Sequence, residues 1–151
     1  MASPFSFDND VFSSFAFYGT ASVVKMMMMS ILTSKQRMKN KAWVNPEDFE
    51  VRGYEVKPTT SDLDVERVRR NHQNDIENII PFAIIGLLYV ATGPCETAAK
   101  WHFRVFAAAR LAHTIAYQSG RSRPRGLCFA VGNVATLSMA VQVLMHAAKS
   151  W

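Results

Sequence analysis

The fold of this chain is decided by residues 66–82, ERVRRNHQNDIENIIPF, where a strongly polar segment runs without a break into an apolar one. The first part is dense in Arg, Asn, Asp and Glu, whereas the residues from Ile79 to Thr92 are almost wholly apolar. Ionised side chains are costly beside hydrocarbon, so a charged block that leads into a membrane-like segment needs a reason. The stretch therefore predicts a site for a charged ligand at the entrance to a membrane span.

Four segments of the chain are apolar and long enough to cross a bilayer as helices. The last, from Gly126 to Ala148, contains no Asp, Glu, Lys or Arg, and the first contains only Lys25. The third is the weakest, because Arg104 and Arg110 interrupt it. We predict an all-α integral membrane four-helix bundle in one domain, residues 1–151, with spans at about 11–34, 75–93, 98–118 and 126–148 and a cytosolic loop at about 35–62.

A soluble four-helix bundle is the alternative fold, and it would need a polar outward face on every helix. The last segment has few polar side chains that could form such a face, namely Asn133, Thr136, Ser138, Gln142 and His146. Cys95 and Cys128 form no CxxC motif and no disulfide framework. We expect Cys95 in a short loop and Cys128 in a helix, both as free thiols.

The charges of the loops predict an orientation. The first loop starts with a basic run and the third contains three arginines, whereas the N-terminal tail and the second loop contain no Lys or Arg. Four spans place loops one and three on the same side, which the positive-inside rule makes cytosolic. The net charge of +5 therefore mostly reflects the orientation of the chain in the membrane. Aromatic residues are not interleaved with the basic residues as they would be on a nucleic-acid surface.

A polar strip lies along the second predicted span. Arg67, Arg70, Asn74 and Glu77 recur at spacings of three, four and three, so they share one helix face. The strip offers cations for carboxylates, an amide for peptide groups and a carboxylate for an ammonium, as a zwitterionic peptide-like ligand requires. The alternative is a salt-bridged helix face, in which Asp75 and Glu77 neutralise neighbouring arginines. Spacing alone does not separate the two.

The third span repeats the pattern with Arg110, His113 and Tyr117. Arg110 is deep enough in an apolar run that it must face the bundle interior or a subunit contact. His113 alone would more often be a core histidine, but its place between Arg110 and Tyr117 favours a site. No HExxH motif, no Cys/His cluster and no Ser/His/Asp order is present, so we expect no metal.

Five motifs together resemble the MAPEG family, the membrane-associated proteins in eicosanoid and glutathione metabolism. They are NPED at 45–48, VERVRR at 65–70, NDIENIIPF at 74–82, RLAHTIAY at 110–117 and TLSMA at 136–140. The block from ERVRR to NIIPF is most similar to the type-1 microsomal glutathione transferases. The resemblance implies four helices per chain, a homotrimer, and glutathione bound between helices of adjacent subunits near the cytosolic face.

The resemblance also implies which residues hold glutathione, namely Arg37, Arg70, Asn74, Glu77, His113, Tyr117 and Arg125. The arginines would pair with the two carboxylates of glutathione, and Glu77 with its amino group. Asn74 and Tyr117 would hydrogen-bond its peptide groups, and His113 would do the same or orient a neighbour. Arg125 is predicted as the catalytic residue, because a cation near the sulfur at a helix start favours the thiolate.

The implied function is conjugation of glutathione to lipophilic electrophiles, with peroxidase activity toward lipid hydroperoxides. The implied location is the endoplasmic reticulum membrane, or also the outer mitochondrial membrane, with the active site toward the cytosol. A prostaglandin E synthase-like isomerase is the alternative within the family, but Gly126 and Phe129 stand where that enzyme has a serine and a tyrosine. Phe49 replaces the cysteine that sensitises mammalian type-1 enzymes to thiol reagents, so we expect no such activation. A non-enzymatic membrane interaction protein is the third possibility.

Overall fold

The computed structural model describes residues 3–149 except 51–57, and the side chains of residues 49 and 50 are also outside the description. The expectation about Phe49 therefore falls on a side chain outside the described residues. The helices are α1 (Asp10–Asn40), α2 (Pro46–Glu50), α3 (Leu63–Ala91), α4 (Glu96–Gln118) and α5 (Ser122–Ala148).

The four long helices α1, α3, α4 and α5 pack as one bundle, and no strand occurs within residues 3–50 and 58–149. This confirms the predicted all-α four-helix fold. In the described part of the chain, α1, α3 and α5 are long and apolar enough to cross a membrane. The fourth, α4, is the segment that its two arginines had marked as weakest. Arg110 is buried inside the bundle, as predicted, whereas Arg104 is exposed and lies over the Trp101 ring.

The start of α3 is set by its cap. The carboxylate of Asp62 accepts hydrogen bonds from the backbone N–H groups of Asp64 and Val65, as a good N-cap residue does. The amide of Asn40, the last residue of α1, donates to both oxygens of the same carboxylate at 3.1 Å. The cap therefore joins the end of α1 to the start of α3, which begins at Leu63.

The core at the far end of the bundle is built from aromatic rings. Phe82 of α3 and Phe106 of α4 stack in parallel with ring centroids 3.7 Å apart, and Phe15 of α1 meets Phe103 of α4 edge to face. Gly86 of α3 lets Phe15 approach, because a Cβ at that position would overlap the ring of Phe15. These rings fix the relative positions of α1, α3 and α4.

The helix α3 continues through Pro81 rather than ending there. Proline has no backbone N–H, so the carbonyl of Glu77 loses the partner that it would have four residues later. The break in the backbone hydrogen bonding of α3 therefore falls at Glu77, one of the predicted glutathione contacts. Cys95 lies just before α4 and Cys128 lies within α5, and both are free thiols, as predicted.

Candidate functional site

The predicted site residues are carried by all four long helices. Arg37 is near the end of α1, Arg70, Asn74 and Glu77 are on α3, His113 and Tyr117 are on α4, and Arg125 is in the first turn of α5. Because α4 ends and α5 begins within the same short turn, the last turn of α4 and the first turn of α5 are neighbours. The structure brings some of these residues together and leaves others apart.

The clearest cluster joins α4 to α5. The guanidinium of Arg125 lies over the ring of Tyr117, 4.7 Å from its centroid, and the ring centroids of Tyr117 and His113 are 5.6 Å apart. His113 is 2 % exposed, and its Nδ1 has no hydrogen-bond partner among the described residues. Buried polar atoms without a partner are costly, so this nitrogen marks a place where a further polar group would be favourable.

The start of α5 adds to the positive potential of this cluster. α5 begins at Ser122, so Arg125 lies inside its first turn rather than just before the helix. Its N–H donates to the carbonyl of Arg121, and Pro124 has no N–H, so the free backbone donors of the turn belong to Ser122 and Arg123. The positive end of the helix dipole and the Arg125 guanidinium therefore lie within one turn.

Asn74 connects α3 to this region. Its side-chain oxygen accepts a hydrogen bond of 2.9 Å from Nη2 of Arg110, which lies one helical turn before His113 on α4. Asn74 is half-buried, whereas Arg70 and Glu77 on the same helix are exposed. Glu77 accepts a hydrogen bond from Gln73 at 3.2 Å. Asn74 therefore faces the bundle, and its two neighbours in the predicted strip face outward.

Arg70 and Arg37 lie apart from the α4–α5 cluster. Arg70 lines a polar cavity of about 530 Å³ between α1 and α3, together with Ser30, Thr33, Glu66 and Gln73. Arg37 donates from Nη1 to the carbonyl of Ala42 at 3.0 Å. One described chain therefore does not enclose all seven predicted contacts in one cavity.

Arg67 has a role in the fold. Its Nη1 lies against Gly120 in the α4–α5 turn, where a Cβ would come within 3.0 Å of it. Gly120 has φ +70, a conformation that only glycine adopts without strain, and this permits the tight turn. Arg67 thus packs the start of α3 against the turn from which Arg125 emerges.

The interpretation of the α3 strip as a salt-bridged face is wrong for Asp75. Its carboxylate is fully buried and pairs with Lys25 of α1 and Arg110 of α4 rather than with arginines on its own helix. A sequence signal for this was present. The buried residues of α3 recur at helical spacing, and Asn71 and Asp75 occupy two of the positions in that otherwise mostly apolar series: Val65, Val68, Asn71, Asp75, Ile79, Phe82, Gly86 and Tyr89.

The chain is similar to one protein family and to several named proteins. Residues 15–145 match the model of the MAPEG family. Microsomal glutathione S-transferase 1 from Mus musculus is 49 % identical over 141 residues, 91 % of each chain, and the Homo sapiens protein of that name is 48 % identical over the same share. Prostaglandin E synthase from Homo sapiens is 39 % identical over 136 residues, 89 % of each chain.

Proposed function

The chain belongs to the MAPEG family, and from that premise we propose that it is a membrane-bound glutathione transferase, which joins glutathione through its sulfur to hydrophobic electrophiles. The observation that carries the proposal is the contact of Arg125 with Tyr117 beside His113. It holds a cation in place at a helix start, next to a hydroxyl and an imidazole. The relatives named microsomal glutathione S-transferase 1, at 46–49 % identity, support the same conclusion.

The residue types fit the tripeptide. Glutathione has two carboxylates, one ammonium, two peptide groups and a thiol. Arginine pairs with carboxylates through two parallel hydrogen bonds, and the exposed carboxylate of Glu77 suits an ammonium. Asn74 and Tyr117 can hydrogen-bond peptide groups, and the unpartnered Nδ1 of His113 offers one further polar contact.

The proposed role of Arg125 is to stabilise the thiolate. A free thiol has a pKa of about 8.5, so only a small fraction is ionised at neutral pH. A fixed cation favours the anion, and each unit by which the thiol pKa falls corresponds to about 1.4 kcal/mol. The thiolate sulfur then forms a bond to an electrophilic carbon of the lipophilic substrate, and the leaving group, such as a halide, takes the displaced electron pair.

We also propose that the working unit is a homotrimer with glutathione held between adjacent subunits near the cytosolic face. In one chain, Asn74, His113 and Tyr117 are turned toward the bundle, whereas Arg70 and Glu77 are exposed on the outside of α3. A ligand that contacts both sets would lie at the edge of the bundle, where a second subunit could cover it. The basic loops support a cytosolic site, and we propose the endoplasmic reticulum or the outer mitochondrial membrane as its location.

The same thiolate would reduce lipid hydroperoxides. Its sulfur attacks the peroxide oxygen, the O–O bond breaks, and the lipid leaves as an alcohol after taking up a proton. The sulfenic acid formed on the first glutathione condenses with a second glutathione to give the disulfide and water. Two glutathione molecules thus supply the two electrons, and this step requires no group beyond those of the transferase site.

Turnover of chlorodinitrobenzene with glutathione by the purified protein tests the proposal. We expect saturable formation of the conjugate, and lipid hydroperoxide in place of the electrophile tests the peroxidase reaction. Absence of both activities, in protein that is folded and trimeric, would favour a non-enzymatic membrane protein. Efficient isomerisation of a prostaglandin endoperoxide with poor conjugation would favour the synthase alternative instead.

A further inference from the structure

A buried ion triad lies beside the proposed glutathione contacts, since Asp75 follows Asn74 on α3 and Arg110 lies one turn before His113 on α4. Asp75 is completely buried, and its Oδ1 accepts from Nζ of Lys25 and from Nη2 of Arg110, each at 2.6 Å. Its Oδ2 accepts from Lys25 Nζ at 2.5 Å. One carboxylate thus joins α1, α3 and α4.

Stability alone does not explain this triad. A buried ion pair often stabilises a protein no more than well-packed apolar side chains of the same volume would. Charged groups inside a membrane bundle are costlier still, and they commonly serve a function. The neighbouring half of the same bundle is held together by aromatic rings. Apolar packing can therefore hold these helices together without an ion triad.

The triad reaches the proposed site through Arg110. The Nη2 atom that donates to Asp75 also donates to the side-chain oxygen of Asn74 at 2.9 Å. Arginine has donors only, so the atom it contacts in Asn74 must be the amide oxygen. The amide NH₂ of Asn74 is then the group left to donate to a ligand. The contact with Arg110 therefore decides which end of the Asn74 amide points outward.

We propose that Lys25 and Asp75 are positioning residues for glutathione, which hold Arg110 so that it fixes the Asn74 amide with its NH₂ group toward the ligand. The inference rests on the proposed glutathione site. The ammonium of Lys25 donates to both oxygens of Asp75, and Arg110 therefore contacts Asp75 through Nη2 alone. The Nε and Nη1 atoms of Arg110 have no partner among the described residues. Without Lys25, the guanidinium can rotate into a two-bond pair with Asp75, which is the geometry arginine and carboxylate prefer. Nη2 is then drawn away from Asn74.

The test is Lys25→Met, which leaves Asp75 and Arg110 as a neutral pair and fills the space with an apolar chain. We expect the Kd for glutathione, measured by calorimetry on the detergent-solubilised protein, to rise about tenfold, the loss of one hydrogen bond in a charged network. The KM for glutathione rises with it, while kcat at saturating glutathione stays near that of the wild type. Lys25→Arg, which keeps a cation at Asp75, restores most of the affinity.

The double variant separates positioning from a general loss of structure. If Lys25 acts through Asn74, then Lys25→Met adds little to the effect of Asn74→Ala, because the contact it orients is already gone. Independent, additive losses would overturn the proposal. Tyr89→Phe is the matched control, since it removes another hydrogen bond between helices, from the Tyr89 hydroxyl to Gln142 at 3.2 Å. It should lower the unfolding temperature and leave the glutathione Kd unchanged.

Two further outcomes decide between this inference and the proposed function. If the wild-type protein does not bind glutathione, the proposed function fails. If it binds glutathione and Lys25→Met binds it equally well, only the positioning role fails. Should Lys25→Met not fold, Lys25→Gln, which keeps a neutral donor, takes its place. It should weaken binding less than tenfold and remain non-additive with Asn74→Ala, and additivity would contradict the role here too.

Discussion

Both halves of α3, before and after Pro81, contain completely buried side chains, but these include polar residues before Pro81 and aromatic residues after it. In the half that follows Pro81, Phe82 and Tyr89 are completely buried among rings of α1 and α4. In the half before it, Asn71 and Asp75 are equally buried, although one is an amide and the other a carboxylate. One continuous stripe of the helix thus changes from polar to aromatic within about two turns.

The difference indicates that the two halves of α3 have different roles. Burial of rings stabilises the bundle through close packing, because helices that already lie in a bilayer gain from van der Waals contact with one another and not from leaving water. Burial of Asn71 and Asp75 is costly unless each polar atom has a partner, and the amide of Asn71 has none among the described residues. The aromatic half therefore supports the fold, and the polar half places groups where a charged ligand is expected.

Phe82→Ala tests the aromatic half and carries the largest expected effect. Phe82 is completely buried and stacks on Phe106, so removing its ring should lower the free energy of unfolding by about 3–5 kcal/mol. Unfolding in detergent measures this loss. The folded fraction should bind glutathione with the wild-type Kd. The control is Phe17→Ala, whose ring is 68 % exposed, and we expect it to cost far less. A parallel loss of glutathione affinity in Phe82→Ala would show that the two halves are not separable.

Arg125→Ala tests the proposed glutathione site, to which the polar half of α3 contributes Asn74. Loss of a fixed cation beside a developing or bound anion commonly lowers kcat by about 10²–10³, equivalent to about 2.7–4 kcal/mol. The guanidinium stacks on Tyr117 at the edge of the bundle, so the unfolding temperature should change little. Ultraviolet absorbance of the bound thiolate gives the direct measurement. Arg123→Ala, an exposed arginine in the same turn, is the control. Wild-type thiolate formation by Arg125→Ala would remove Arg125 from the mechanism.

The sequence predicted the fold well, because the apolar length of each helix is a pattern along one segment. Apolar length indicated the four long helices. The membership in the MAPEG family, inferred from five motifs, is confirmed by the match over residues 15–145. Each of these features is local or repeats along the chain, so it can be read without knowing which helices are neighbours.

The polar half could be predicted only in part, because its partners come from different helices. Lys25 stood out as the one charge in the first apolar segment, and Arg110, one of two arginines in the third, was correctly expected to face the interior. Their common partner, Asp75, was paired with arginines of its own helix in one of the two alternatives, since spacing along α3 cannot show contacts made 35 and 50 residues away. The assignment of glutathione contacts, from Arg37 to Arg125, stays a prediction.

Gly86→Ala sharpens the comparison inside the aromatic half, where Gly86 lies between Phe82 and Tyr89. A Cβ at Gly86 overlaps the ring of Phe15, which neighbouring rings hold in place, so we expect a loss of about 1–3 kcal/mol in the free energy of unfolding. Glutathione affinity should not change. Gly126→Ala is the matched control, because it is also a helical glycine and a Cβ there meets nothing within 4 Å. Alanine favours helix, so that variant should be neutral or slightly more stable. Equal destabilisation by both substitutions would contradict the packing explanation.

Asp62→Ala tests whether the polar half also contributes to stability at its own helix start, and we expect the smallest effect here. The backbone N–H of Val65 and the amide of Asn40 stabilise the Asp62 carboxylate and hold its pKa below the usual range. A carboxylate with a lowered pKa stabilises the folded protein above its unfolded pKa of about 3.9, and this contribution is lost as the pH falls through the lower, folded value. Loss of the cap should cost about 1 kcal/mol at neutral pH.

Asp62→Asn separates the cap from the charge. Asparagine caps a helix about as well as aspartate, so this variant should keep most of the stability at neutral pH and lose the dependence on acid. Thermal unfolding of the three proteins at neutral pH and near pH 3 gives both quantities. If Asp62→Asn is as unstable as Asp62→Ala at neutral pH, the charge and not the cap holds this end of α3. The polar half would then depend on the charge of Asp62 at its helix start as well as on the ion pairs of Asp75, and only the half after Pro81 would be stabilised independently of charge.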